Sequence, residues 1–342
     1  MRSFKRVLLS ALCFVLVFAL LAGLCLRLYY GSETLTIRDD RLRASLAGSL
    51  DRLMLGSSHA WNGFVPAVFD ERVQSSSYNL SGGVFPMYAK NYFLSKELGR
   101  NPIRVVYVEI SDDTLTHSNA HDYAEGDEIA IARLDSWEER LDYMRRYLSF
   151  SDCVNVFSRA ILRGVQAGAA LLQGKSTMDY AARGFYTKDG MDVTLTPAEA
   201  AAIRGTTHIA SGDYLPENIE QLTALLQTCR AAGAEPVLVV IPVSDAYLWR
   251  QTGEDDFHAW LEAYSREQGC ACYDFNLLRA RYSILSDRDC YINPTHLSRH
   301  GAEVFTAAFA GLMELSERGE SIDGAFYESY EELLRDSPYA AA

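Results

Sequence analysis

Five short apolar runs, separated by longer stretches of helical periodicity, constrain what this chain can fold into more than any other feature. They are Arg52 to Leu55, Ser77 to Leu80, Arg104 to Ile110, Pro236 to Ile241 and Ala271 to Phe275. A strand buried on both faces reads as a continuous apolar run rather than an alternation, and strands alternating with helices build a parallel sheet covered on both sides. The intervening helices are expected over Pro86 to Leu98, over Pro216 to Ala232 with Gly233 as its stop, over Asp256 to Gln268 ending at Gly269, and over Ser298 to Leu315. The expected class is therefore α/β, a three-layer fold. Between the third and fourth runs, Ser111 to Asp213 is too long for a simple crossover. It reads as an inserted, mostly helical region over about 112–213, with Trp137 to Phe150 and Val154 to Leu172 as its clearest helices and Thr196-Pro197 starting another. Such an insertion either roofs a site or packs as a subdomain.

At the amino end, Arg2, Lys5 and Arg6 precede an almost unbroken apolar stretch from Val7 to Leu26. A spanning helix needs ~20 apolar residues, more than the apolar part of a cleavable signal, and no small-x-small cleavage pattern precedes Tyr29. Residues 1–30 are thus expected to be a cytoplasmic basic end and an uncleaved single-pass anchor. The basic residues before the span place the amino end inside and the remainder on the far side, although Arg27 pulls the other way. Leu21-Ala22-Gly23-Leu24-Cys25 resembles a lipoprotein box with one leucine too many, which disfavours lipidation. The outer domain is expected over 31–320, followed by an acidic helix and tail over 321–342 that packs through Phe326, Tyr327, Tyr330, Leu333 and Leu334. A net charge of −13 and a pI near 5.0 argue against a nucleic-acid partner and give no special affinity for anionic lipid.

Two of the seven cysteines, Cys13 and Cys25, lie in the apolar stretch, leaving Cys153, Cys229, Cys270, Cys272 and Cys290. An odd set cannot pair completely. Cys270 and Cys272 lack the spacing of paired zinc knuckles, so no metal and no cofactor is expected, and at most one disulfide would involve Cys290.

In an open parallel sheet, ligands bind beyond the carboxyl ends of the strands. Polar residues follow each run there: Ser58 and His59, then Asn79 and Ser81-Gly82-Gly83, then Asp112 and Asp113, then Ser244 and Asp245, and finally Asp274 and Asn276. Gly56-Ser57-Ser58-His59 sets a serine in the first turn after Leu53-Met54-Leu55. Asn293-Pro294-Thr295-His296-Leu297 sets a histidine before the last helix. Together they point to serine-dependent acyl transfer. Ser58 also suits a helix cap, and His59 suits either substrate contact or a surface position. His117, His121, His208, His258 and His300 have no supporting neighbours in sequence.

Three blocks carry a resemblance: Leu55-Gly56-Ser57-Ser58-His59, Asn79-Leu80-Ser81-Gly82-Gly83, and Asn293-Pro294-Thr295-His296-Leu297 with Gly301-Ala302. The chain resembles the SGNH/GDSL hydrolase superfamily. Within it, the chain looks most like the membrane-anchored bacterial branch related to polysaccharide O-acetyl-transfer and teichoic-acid D-alanine-transfer proteins. The resemblance implies a flavodoxin-like three-layer fold and ester or thioester cleavage, or acyl transfer, through a covalent serine intermediate. It makes Ser58 the nucleophile, with Ser57 in place of the usual acid, His296 the base, and the amides of Ser58 and Gly82 the oxyanion hole. His59 and Asn79 would contact substrate. Two departures stand out. Asn293 occupies the place of the acid three residues before the base, so Asn293 itself, a backbone carbonyl, Asp289 or Asp274 is left to orient His296. Ser111-Asp112-Asp113 lacks the asparagine that supplies another oxyanion donor, a role left to Asn79 or a lid residue. The expected function is an esterase or acyltransferase acting on an acylated cell-envelope or exported polysaccharide. The alternative is a weak or inactive member that binds glycan or a partner, and a multispanning acyltransferase is a further partner class.

Overall fold

The computed structural model describes residues 2–31, 43, 46–116, 124–173, 180–208 and 214–341. At its centre is a parallel five-stranded sheet made of β1 (Arg52–Leu55), β2 (Ser77–Asn79), β3 (Val105–Glu109), β6 (Glu235–Val240) and β7 (Ala271–Asp274). The spatial order is β2-β1-β3-β6-β7, the 2-1-3-4-5 order of flavodoxin-like sheets, with β1 paired to both β2 and β3.

Side chains alternate across each strand and feed two cores. Leu53, Leu55, Val106, Val108, Leu238 and Val240 pack with Phe93 and Leu94 of α4 (Met87–Arg100), Leu222 and Leu226 of α10 (Pro216–Ala231), and Leu261 of α12 (Glu254–Gln268). Met54, Tyr107, Val237 and Val239 face the other way. They meet Phe64, which follows α2 (Ser58–Gly63), Phe69 of α3 (Pro66–Val73), and Phe305 and Phe309 of α13 (Arg299–Glu317). Phe309 sits 5.0–6.0 Å from the rings of Phe64, Phe69, Tyr107, Phe275 and Phe305. Helices therefore cover both faces.

The region between β3 and β6 contains α5 (Asp112–Thr116), α6 (Ala124–Arg133), α7 (Trp137–Tyr147), α8 (Phe150–Leu172) and α9 (Pro197–Ile203). The insertion is not helical throughout: β4 (Tyr180–Ala182) and β5 (Phe185–Thr187) form an antiparallel hairpin. The carbonyl of Arg183 at its turn accepts from Asn79 N at 2.9 Å, so the hairpin closes off the edge strand β2. The apolar helix α1 (Arg2–Gly31) is long enough to cross a membrane over Phe4–Tyr29, which fits a single-pass anchor or a signal sequence.

At the carboxyl end, α14 (Tyr330–Arg335) starts later than the aromatic run suggests because Ser329 caps it. Tyr330 and Leu333 are buried, and the Tyr330 hydroxyl donates to Asp274 at 2.8 Å. All seven cysteines are free. Cys290 is buried, so the disulfide considered for it is absent.

Candidate active site

The first strand delivers Ser58 through a turn that only a narrow set of residues permits. A Cβ on Gly56 would lie 2.5 Å from Glu109 Oε2 and 2.7 Å from the Ala60 side chain, so residue 56 must be glycine. Ser57 caps α2, its hydroxyl accepting from His59 N at 3.2 Å, while its own N–H donates to Glu109 at 2.6 Å. Ser58 is therefore the first helical residue rather than the cap. Its N–H belongs to the donors that a helix leaves without an internal partner.

From the other end of the chain, β8 (Tyr291–Asn293) and β9 (His296–Leu297) form a tight antiparallel pair that presents His296. Ser298 caps α13 behind it, and Thr306 of that helix donates to Gly63 O and accepts from Val65 N, tying α13 to the end of α2. The two termini meet at 2.7 Å, between Ser58 Oγ and His296 Nε2.

The other ring nitrogen, His296 Nδ1, lies 3.0 Å from both Asn293 Oδ1 and Thr295 Oγ1. The backbone N–H groups of Thr295 and His296 both donate to that same Asn293 atom at 3.0 Å, which identifies it as the amide oxygen. An oxygen facing Nδ1 selects the tautomer with the proton there. That leaves Nε2 as an acceptor for the serine hydroxyl.

His59 lies beside this pair, its ring tilted 49° to that of His296 with centroids 4.9 Å apart, and its Nδ1 3.6 Å from Glu109. Burial opposes a charge on His59, but the Glu109 carboxylate outweighs it and raises the imidazole pKa, with Asp113 and Asp112 adding to the effect. Burial alone would likewise push Glu109 up. The His59 and Lys90 cations and the Ser57 N–H instead hold its carboxyl down, at about 2. His296 moves in the opposite direction from His59: burial first, then the His59 cation, lower it to about 4. At neutral pH the imidazole against the serine is neutral, and the Glu109 carboxylate behind it is ionised and favours a proton on His59.

These side chains floor a cavity of about 190 Å³, with Val84, Phe85, Pro86 and Met87 on one wall and Ser111, Asp113 and Thr114 on another. Lys90 also lines it. This lysine is 1% exposed, and its ammonium has no hydrogen-bond partner among the described residues. Burial lowers its pKa and Glu109 raises it, burial prevailing.

Several expected site residues stand elsewhere. Asn79 does not reach the cavity. It is fully buried, its amide nitrogen holds α2 onto β2 by donating to Ala60 O and Phe64 O, and its oxygen accepts from Ser81 N in the following loop. Asp289 does not orient His296: its carboxylate accepts from the Cys290 thiol and its carbonyl accepts from Ser298. The reason is the tight turn at Pro294, which directs His296 toward Asn293 instead. Asp274 bonds Tyr330 and His258. Gly82 stands beside the nucleophile turn, where its N–H makes a long 3.4 Å contact to Gly56 O and an added Cβ would strike the Phe85 ring at 2.3 Å. His208 is near Thr252, and His117 and His121 lie outside the described residues. Glu109, Lys90 and Thr295 went unrecognised. Glu109 is the one charge inside an otherwise apolar strand, and Lys90 is one of two charges, with Glu97, among the buried positions of its helix.

No protein-family model matches the chain, and no curated protein matches it. Among solved structures it is similar to a protein from Bacteroides fragilis described as an acylhydrolase, at 8% identity and a TM-score of 0.38 over 82% of this chain and 95% of that one. A GDSL-like lipase from Bacteroides thetaiotaomicron gives 10% identity and 0.37 over 82% and 98%. TesA gives 12% and 0.36 over 78% and 98%.

Proposed function

We propose that this chain is a serine-dependent esterase or acyltransferase of the SGNH/GDSL type, with Ser58 as nucleophile and His296 as general base. The observation that carries this reading is the 2.7 Å contact between Ser58 Oγ and His296 Nε2, with Nδ1 held by an oxygen acceptor. The serine proton passes to Nε2 as Oγ bonds to the acyl carbon. The resulting oxyanion faces the Ser58 N–H, with Lys90 lining the same cavity as a further donor, while the expected Gly82 N–H is directed at Gly56 O. Collapse breaks the bond to the leaving alcohol, which takes the proton back from His296 and leaves an acyl-serine. Water or a sugar hydroxyl then attacks with the same base, giving hydrolysis or transfer and regenerating Ser58. Asn293 and Thr295 orient the base in place of an acid.

A cavity of about 190 Å³ is small beside the ~300–1,000 Å³ of drug-sized sites, which suits a short acyl group with the rest of the substrate outside. We read the substrate as an acylated cell-envelope or exported polysaccharide, met by a domain held outside the membrane by α1. A second reading, a weak or inactive glycan- or partner-binding protein, is favoured by the amide of Asn293 where an acid would stabilise the imidazolium. Fluorophosphonate labelling of the detergent-solubilised chain decides between them. An adduct at Ser58 that is lost in His296→Ala supports the enzyme, and a folded chain without an adduct supports the binding protein.

A further inference from the structure

At the base of the hairpin that presents His296, three side chains of the kinds that bind metal ions come together from two segments. The Asp289 carboxylate, the Cys290 thiol and the His300 imidazole have ligand atoms within 4.8 Å of one another. No other three His, Cys, Asp or Glu side chains among the described residues meet so closely. Cys290 Sγ lies 3.6 Å from Asp289 Oδ1. Cys290 is 1% exposed while Asp289 and His300 are exposed, so the thiol floors a site that opens to solvent. His300 makes no hydrogen bond or ion pair with any described residue, which leaves its ring nitrogens free to take a ligand.

Backbone contacts hold the two segments in register. Ser298 N donates to Cys290 O at 2.8 Å, and Ser298 Oγ donates to Asp289 O at 2.7 Å. Gly301 comes so close that a Cβ there would lie 2.0 Å from the Cys290 carbonyl oxygen. The first turn of α13, which carries His300, is thus fixed against Asp289 and Cys290. The donor set then selects the ion. Calcium and magnesium take oxygen ligands, whereas zinc takes thiolate sulfur at ~2.3 Å and imidazole nitrogen or carboxylate oxygen at ~2.0–2.2 Å. Around a tetrahedral ion with those bond lengths the ligand atoms stand about 3.3–3.8 Å apart. Small rotations of the two exposed side chains close the remaining distance.

We propose that Asp289, Cys290 and His300 bind one zinc ion, with water as the fourth ligand, and that the ion staples the base of the hairpin carrying His296. Cys290 immediately precedes β8, and His300 follows β9, so a single ion joins both ends of that pair. On binding, the S–H bond gives way to a sulfur–zinc bond and the thiol proton leaves to solvent. The expectation of no metal rested on the spacing of Cys270 and Cys272. This set escapes such spacing because its histidine lies beyond the hairpin and comes back to the cysteine only in the fold. The site is independent of the chemistry of Ser58.

The test titrates the full chain, detergent-solubilised and stripped with chelator, with Co²⁺ and then with Zn²⁺. The expected result is one equivalent of Co²⁺ with a thiolate charge-transfer band in the near ultraviolet, displaced by Zn²⁺, and a thermal midpoint that rises with Zn²⁺. His300→Ala, at an exposed position, should leave the circular dichroism unchanged and weaken Zn²⁺ binding by at least the ~10–100-fold that loss of an outer-shell partner costs. Cys290→Ser should abolish the charge-transfer band, whereas Cys270→Ser with Cys272→Ser should retain it. Should the buried Cys290→Ser variant not fold, His300→Ala and Asp289→Asn carry the test. A wild-type chain with no such band overturns the proposal. So does a band that survives Cys290→Ser, or a Zn²⁺ affinity unchanged in both His300→Ala and Asp289→Asn.

Discussion

Asn293 does by geometry what a carboxylate does by charge. Its oxygen fixes the ring and tautomer of His296, but an amide does little to stabilise the imidazolium that the proposed serine attack would form. Asn293→Asp should therefore raise ester turnover at least about tenfold, in the direction opposite to the loss seen when a triad acid becomes its amide, as steady-state kinetics would show. His59 supplies a second handle. Protonating His296 removes the base, and the His59 cation helps hold that step near pH 4. In His59→Gln the cation is gone, protonation becomes easier, and the acid limb of the kcat/KM profile should move upward toward the ordinary histidine value of 6.5. Val84 offers a third. This β-branched residue is held at φ 48 on the cavity wall. Left-handed backbone costs about 1–2 kcal/mol at such a side chain and the added chain freedom of glycine takes back about 0.5–1, so Val84→Gly should raise stability by up to about 1 kcal/mol in a urea titration while loosening the cavity wall. The meeting of Ser58 and His296 was legible because glycine, serine and histidine at those spacings have few other uses. Glu109 and Lys90 were not, since a lone charge in an apolar run shows its meaning only when the facing element is known.

At the scale of elements, the aromatic contacts of α13 are the part of the fold most exposed to test. Phe309→Ala removes a ring that five others touch, and a loss of about 3–5 kcal/mol is expected by urea titration. Labelling of Ser58 should persist while the variant remains folded. The five sheet strands were readable to within a residue or two because two-sided burial writes an apolar run into each. The hairpin over 180–187 was not, because its pairing is set by a turn at Arg183 and Gly184 and by contact with the edge of β2 rather than by an apolar pattern. The same holds for the pair that presents His296, whose two-residue strand is below any periodicity. Asn79 misled for a related reason: a polar residue at a strand end suggests a site, whereas here it satisfies the backbone of α2.

For the whole molecule, the apolar length of α1 concerns where the domain sits. Alkaline carbonate washing of cell membranes should leave the full chain in the pellet, and removal of α1 as a signal would appear as a mature chain beginning near residue 30. The reach between Ser58 and His296 has a further consequence. The two residues are 238 positions apart and join only after the last hairpin has docked on the finished sheet. Because a chain is made from its amino end, Ser58 emerges long before His296. Every partly synthesised form thus lacks the Ser58–His296 contact, and under the proposed function the chemistry switches on in a single step when folding is complete.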